Sequence, residues 1–172
     1  LENIQEKITK KTKIIFLANP NNPTGTMVSE EEIRSFFKDI RSDILVVLDS
    51  AYAEYVDNKD YTDGSKFVEE FDNIIMLRTF SKLHALASLR LGWAYCPIKV
   101  ANLLKSIRPA FSVNALASFA GIAAVEDIKF QELSFVHNKK YKDWIFKKLE
   151  SHQIDFIPSE TNFFLLNFKS EE

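Results

Sequence analysis

Thr79, Ser81 and Lys82 lie within four residues, and Arg90 follows eight positions past the lysine. They come directly after Asn73–Leu77, an apolar run that reads as a buried strand. A lysine just off the end of such a strand can be desolvated and crowded by a second cation. Both effects lower an amine's pKa and free it for Schiff-base chemistry. Two hydroxyls and a guanidinium are suitable ligands for a phosphate dianion. Lys82 is therefore the candidate nucleophilic amine, and Thr79, Ser81 and Arg90 are the candidate phosphate ligands. Read singly, each has a plainer explanation: most lysines are solvated surface groups, and Arg90 could simply pair with a carboxylate such as Glu54.

What must position these groups is a repeated strand–loop–helix pattern. Lys13–Ala18 is a short apolar run that stops at Asn19-Pro20-Asn21-Asn22-Pro23-Thr24-Gly25, a stretch that can neither continue a strand nor start a helix. Ser29 and Glu32 then form a capping box ahead of Ile33, Phe36, Phe37 and Ile40 at helical spacing. Ile44–Leu48 is a second buried strand, with Asp49-Ser50-Ala51-Tyr52 directly off its end. A polar loop over 57–64 and a short helix over 65–71 lead to the third strand, 73–77. Strands without polar alternation, separated by helical pieces, predict a parallel sheet covered on both faces. Right-handed crossovers put the three carboxyl ends on one edge, where open α/β sheets bind ligands. Asn22, Asp49 and Lys82 are thereby predicted to face one crevice. Asp49 and Tyr52 also admit ordinary roles, as a cap or a core residue.

Leu91–Cys96 reads as a fourth strand, antiparallel to the third. Val100, Leu103, Leu104 and Ile107 mark a helix that Pro109 ends. An alanine-rich helix over 115–125 is expected to be buried. A long helix spans about 130–151, and two strands are expected at 154–157 and 162–168. The fold class is α/β: three layers, α/β/α, with a mainly parallel sheet, followed by the start of a small α+β unit. The division falls within the long helix, giving a cofactor-binding part over 1–135 and a connecting helix with a small C-terminal part over 136–172.

The totals narrow the function classes. The 172 residues carry a net charge of −2, with 46% hydrophobic and 27% charged residues, which is ordinary globular composition. No basic excess suggests nucleic acid, and no apolar run reaches the roughly 20 residues of a membrane span. Cys96 is the single cysteine, which points to a reducing, cytoplasmic setting. No cysteine–histidine cluster has metal-ligand spacing.

A Schiff-base lysine beside a phosphate site suggests pyridoxal phosphate as cofactor. The ordered set Asn22-Pro23-Thr24-Gly25, Asp49-Ser50-Ala51-Tyr52, Thr79-Phe80-Ser81-Lys82 and Arg90 resembles the motifs of class I/II pyridoxal-phosphate aminotransferases of fold type I. The resemblance runs from about Lys13 to Phe168. It implies that Lys82 forms the Schiff base with the cofactor and then carries the substrate proton. It implies that Asp49 pairs with the pyridine N–H, that Tyr52 and Asn22 donate to the ring 3-oxygen, and that Thr79, Ser81 and Arg90 hold the phosphate.

Within the family, Leu89-Arg90-Leu91-Gly92 and Thr161-Asn162-Phe163 look like the histidinol-phosphate aminotransferase branch. Phe111–Ala117 is at least as similar to threonine-phosphate decarboxylases. Leu83-His84-Ala85 and Ser88 depart from the family's usual pattern. The resemblance implies a homodimer acting on a small-molecule amino donor and a 2-oxo acid. It also implies a longer chain, with a ring-stacking residue before these residues and a carboxylate-binding arginine after them. The expected activity is transfer of an amino group between a phosphate-bearing amine and a 2-oxo acid. The alternatives are decarboxylation of a phosphoamino acid on the same scaffold, and an inactive fragment kept as an interaction module.

Overall fold

The computed structural model describes residues 1–168. A four-stranded sheet has the order β1 (Ile14–Ala18), β2 (Leu45–Asp49), β3 (Ile74–Thr79), β4 (Gly92–Tyr95). The first three strands are parallel and the fourth runs antiparallel to β3. Register aligns Ala18 with Asp49 and Asp49 with Leu77, so β1 and β2 finish together and β3 runs two residues further, to Thr79. This is the mixed, mainly parallel sheet expected from the apolar runs.

Alternation along the strands sends Ile15, Leu17, Val46, Leu48, Ile74 and Met76 to one face. There they meet Ile33, Phe36 and Phe37 of α2 (Glu30–Lys38) and Phe67 and Val68 of α3 (Ser65–Glu70). The preceding α1 (Glu2–Gln5) adds Leu1 and Ile4 to the same cluster. The capping box at α2 forms as its sequence predicts. Glu32 N–H donates to Ser29 Oγ at 3.3 Å, and Ser29 N–H donates to Glu32 Oε2 at 2.8 Å.

Coverage of the second face differs from expectation. On β1, Ile14 and Phe16 stay exposed, Phe16 at 72%. The alanine-rich helix α5 (Ala115–Glu126) is likewise open rather than buried. Leu116, Phe119, Ile122 and Val125 are exposed, and only Ala117 and Gly121 are buried. Its apolar residues surround the whole helix, so one contact face cannot cover them all; an all-round apolar helix needs neighbours on several sides. α4 (Ile98–Ile107) also exposes Leu103 and Ile107.

The long helix α6 (Ile128–Ser151) is continuous, and Phe130 N–H donates to the Asp127 side chain at its start. Phe135 packs on Tyr52, Tyr55 and Leu83, while Phe146 further along stacks on Phe156 and meets Phe164 edge-on. The two final strands are shorter than their apolar runs: β5 (Phe156–Ile157) pairs antiparallel with β6 (Leu165–Leu166). Turn bonds take up the residues before β6. Thr161 Oγ1 accepts from Phe163 N–H and donates to the Phe163 carbonyl. Residues 169–172 of the expected C-terminal part lie outside the described residues. Among the described residues, no helix is long and apolar enough to cross a membrane.

Phe67 is fully buried and packs edge-on to Phe37 at 5.1 Å. Phe67→Ala is expected to destabilise the sheet–helix core by about 3–5 kcal/mol, read as a lower urea midpoint at unchanged m-value. A loss under 1 kcal/mol would show that this core does not carry the fold.

Candidate functional site

The site is built at the carboxyl ends of β1, β2 and β3. Backbone bonding continues the sheet for one step past those ends. Asn19 N–H donates to the Asp49 carbonyl and Ser50 N–H to the Leu77 carbonyl, both at 3.0 Å. The three exit loops are therefore fixed relative to each other before any side chain contributes.

The first loop folds around Asn19, which is completely buried. Its side chain donates to the Val28 carbonyl at 3.0 Å and accepts from Val28 N–H at 2.8 Å. Tyr61 donates its hydroxyl to the Asn19 carbonyl at 3.0 Å. Burial pushes the Tyr61 phenol well above its ordinary pKa. The Asn19–Pro20 and Asn22–Pro23 peptide bonds are cis. Gly25 closes the loop at φ +73°, donating to the Asn21 carbonyl at 2.7 Å.

That loop presents Asn22, whose Nδ2 donates to the Tyr52 hydroxyl at 3.4 Å. Tyr52 leaves β2 three residues after Asp49. Its ring is buried against Tyr55 and Leu83, edge-on to Phe163 at 5.1 Å. Tyr52 is thus both a core residue and a presented hydroxyl. Lys82 Nζ sits 5.0 Å from the centroid of the same ring, a cation–π arrangement. Asn22, Tyr52 and Lys82 are thereby brought together. The Asp49 side chain accepts from Ala51 N–H at 3.1 Å and is half-buried at the strand end.

A second group forms after β3. Ser81 N–H donates to Thr79 Oγ1 at 3.0 Å, Thr79 Oγ1 donates to the Leu91 carbonyl at 3.4 Å, and Arg90 Nη1 reaches Ser81 Oγ at 3.4 Å. Arg90 also donates to the Ala87 carbonyl at 2.7 Å. Its backbone is left-handed, φ +54°, which turns the guanidinium back over the loop it ends. Two hydroxyls and an exposed guanidinium converge here, an arrangement suited to an anion. The Arg90–Glu54 pairing does not form. Glu54 is taken by Arg78, whose Nη2 lies 2.8 Å from Glu54 Oε1.

Arg78 and Asp63 were not among the residues singled out from sequence, and Glu54 entered only as a possible partner of Arg90. Arg78 Nη1 also reaches Asp63 Oδ2 at 2.8 Å, and its guanidinium lies over Trp93. Its sequence signal was an arginine closing an otherwise apolar strand. An open cleft of about 600 Å³ lies beside Lys82, bordered by Tyr55, Leu83, Phe130, Leu133 and Asn162. Among the described residues no His, Cys, Asp and Glu group could hold a metal ion.

A lysine thus stands at the carboxyl edge of a mixed α/β sheet, on a tyrosine–asparagine pair and next in sequence to a cluster of two hydroxyls and a guanidinium. Residues 1–172 match the family of class I and II aminotransferases, and the chain belongs to that family. The histidinol-phosphate aminotransferase of Paramagnetospirillum magneticum is 44% identical over 171 residues, covering 99% of this chain and 47% of that protein. The Granulibacter bethesdensis histidinol-phosphate aminotransferase is 46% identical, covering 96% and 45%. The chain thus spans about half the length of the curated relatives it matches. Among solved structures, the histidinol-phosphate aminotransferase of Sinorhizobium meliloti, in complex with pyridoxal-5'-phosphate, superposes with a TM-score of 0.84. It is 27% identical, over 92% of this chain and 43% of that one. The L-threonine-O-3-phosphate decarboxylase of Porphyromonas gingivalis gives 0.79 at 25% identity, over 97% and 51%.

A Cβ on Gly25 would lie 2.1 Å from Ser159 Oγ and 2.6 Å from Ser159 Cβ. Gly25→Ala is therefore expected to destabilise by roughly 1–3 kcal/mol, from the left-handed backbone and the contact together. Chemical denaturation checks this, and an unchanged midpoint would show that the loop and the Ser159 segment do not meet in solution.

Proposed function

We propose that the polypeptide carrying this chain is a pyridoxal-phosphate-dependent aminotransferase. It moves an amino group between a phosphate-bearing amine of the histidinol-phosphate kind and a 2-oxo acid. The observation that carries this reading is the convergence of Lys82, Tyr52 and Asn22 next to the Thr79–Ser81–Arg90 group on one sheet edge. The relatives' names supply the substrate class.

The residues suit the cofactor. Ser81 Oγ and Arg90 Nη1 already lie within hydrogen-bond reach of each other, so one phosphate can take both. Bound pyridoxal phosphate supplies an electron-withdrawing ring that weakens the bonds at a substrate's α-carbon. Lys82 supplies the amine that bonds to the cofactor and, once free, the base that carries the α-proton. Asp49 offers its carboxylate to the ring nitrogen. Asn22 and Tyr52 offer N–H and O–H donors to the ring oxygen. Thr79, Ser81 and Arg90 anchor the phosphate, the arginine with a charge-assisted fork.

The division at residue 135 and 136 is supported by the switch in packing along α6, from the Tyr52 cluster at Phe135 to the small sheet at Phe146. A homodimer, with further polypeptide in the active unit, fits the open apolar faces of β1 and α5. The single cysteine fits a cytoplasmic setting. A second reading, decarboxylation of a phosphoamino acid, is favoured by the likeness to the P. gingivalis enzyme. Release of carbon dioxide from threonine phosphate without formation of an oxo acid would select it.

Borohydride reduction with added pyridoxal phosphate, followed by peptide mapping, is expected to place the adduct on Lys82. An adduct confined to another lysine sinks the assignment. Lys82→Ala is expected to lower turnover by ~10²–10⁴-fold, the range for a lost proton-transfer group, with intact circular dichroism. Arg90→Ala is expected to weaken cofactor affinity by about ten- to a hundredfold, the worth of a hydrogen bond to a charged group. Absorbance titration measures it.

A further inference from the structure

Two residues past Lys82 stands a histidine that the proposed chemistry leaves unused. The His84 side chain is only 11% exposed. Its ring lies on Phe80, centroid to centroid 4.9 Å. Its Nε2 faces Glu54 Oε1 at 4.0 Å, and Glu54 is itself held by Arg78 of β3. His84 Nδ1 is buried without a hydrogen-bond partner among the described residues. The charged groups behind this contact are Glu54, Arg78 and Asp63, from three different segments.

The backbone next to it is strained. Ala85, directly after His84, has φ +57°, a left-handed conformation that costs a residue with a Cβ and persists only where its surroundings over-determine it. Ala85 N–H donates to the Lys82 carbonyl at 2.9 Å, and Leu86 N–H to the Phe80 carbonyl at 3.0 Å. The Lys82–Ala85 turn is thus closed by backbone bonds. The one side chain between its ends with both a ring contact and a charged neighbour is His84.

We propose that His84 is a positioning residue for Lys82. Wedged between Phe80 and Glu54, the imidazole holds the Lys82–Ala85 turn in its left-handed form and so keeps the Lys82 amine on the Tyr52 ring. The inference rests on reading Lys82 as the reacting amine. It assigns to His84 neither a proton transfer nor a contact with substrate. The consequence is that the direction of the lysine depends on Glu54, five residues past the end of the second strand, and on Arg78, within the third.

Competitive acetylation with acetic anhydride, followed by peptide mapping, tests this without cofactor. The reactivity of Lys82 is read against exposed Lys38 in the same molecule. His84→Ala is expected to raise the relative rate of Lys82 by about threefold or more, as the amine leaves the Tyr52 face. Glu54→Gln is expected to raise it too, and the double variant to add little beyond the larger single effect, the signature of one shared contact. His84→Gln, which offers Glu54 a side-chain N–H, is expected to recover most of the unsubstituted rate. If His84→Ala fails to fold, His84→Phe keeps the ring on Phe80 and removes both nitrogens, and its rate is expected to rise as well. An unchanged or lower Lys82 rate in a folded variant overturns the proposal. Addition of pyridoxal phosphate to the unsubstituted protein reports separately: absence of a Schiff-base absorbance band would overturn the cofactor reading and leave the labelling result to stand on its own.

Discussion

The parallel register of β1, β2 and β3 is the constraint on which everything else depends. Ala18, Asp49 and Leu77 share one line across the sheet. Because side chains alternate with a period of two, a slip of one residue on β2 would send Val46 and Leu48 away from α2 and α3. It would also move Asp49 and Tyr52 out of line with Lys82. The apolar core and the site are therefore selected by the same registration. The backbone bonds beyond the strand ends, from Asn19 to Asp49 and from Ser50 to Leu77, carry that registration into the loops.

Between core and site lies a layer of buried polar groups. Asn19 and Ser50 are fully buried, and Thr62 nearly so. Each has a partner: Asn19 at Val28, Ser50 Oγ at the Asp63 carbonyl, Thr62 Oγ1 at Gly64 N–H. A buried polar group with satisfied bonds fixes direction, because breaking any one leaves a desolvated orphan. The Arg78–Glu54–Asp63 pairs extend this layer under the third strand. Within it His84 Nδ1 is a buried atom with no hydrogen-bond partner among the described residues.

What the sequence disclosed follows from how local each signal is. The three apolar runs, the Ser29–Glu32 box and the break at Asn19–Gly25 are decided by neighbours in the chain, and they formed close to where their residues predict. The sheet edge led to a common crevice for Asn22, Asp49 and Lys82, whereas the nearness of Asn22 to Tyr52 was implied only by the family resemblance. The burial of α5 did not follow, because burial depends on what lies opposite: an apolar helix shows no preferred face, and its partners are not encoded within it. The Arg78–Glu54–Asp63 cluster was equally hidden, since its members come from three segments and none carries a spacing pattern. The last two strands were read too long because turn bonds at Thr161 compete with the β-forming residues around it.

The contact of Gly25 with Ser159 has a mechanical meaning. Glu160 N–H donates to the Gly25 carbonyl at 2.8 Å, and Ser159 fills the space where a side chain on Gly25 would stand. The segment after β5 is thus bolted to the loop that carries Asn22, three residues away. Tyr52, at the end of β2, meets the same C-terminal stretch, because Phe163 lies edge-on to its ring. The bond from Asn22 Nδ2 to the Tyr52 hydroxyl at 3.4 Å is thus clamped twice, by the sheet edge that roots both loops and by the chain after β5 that touches both.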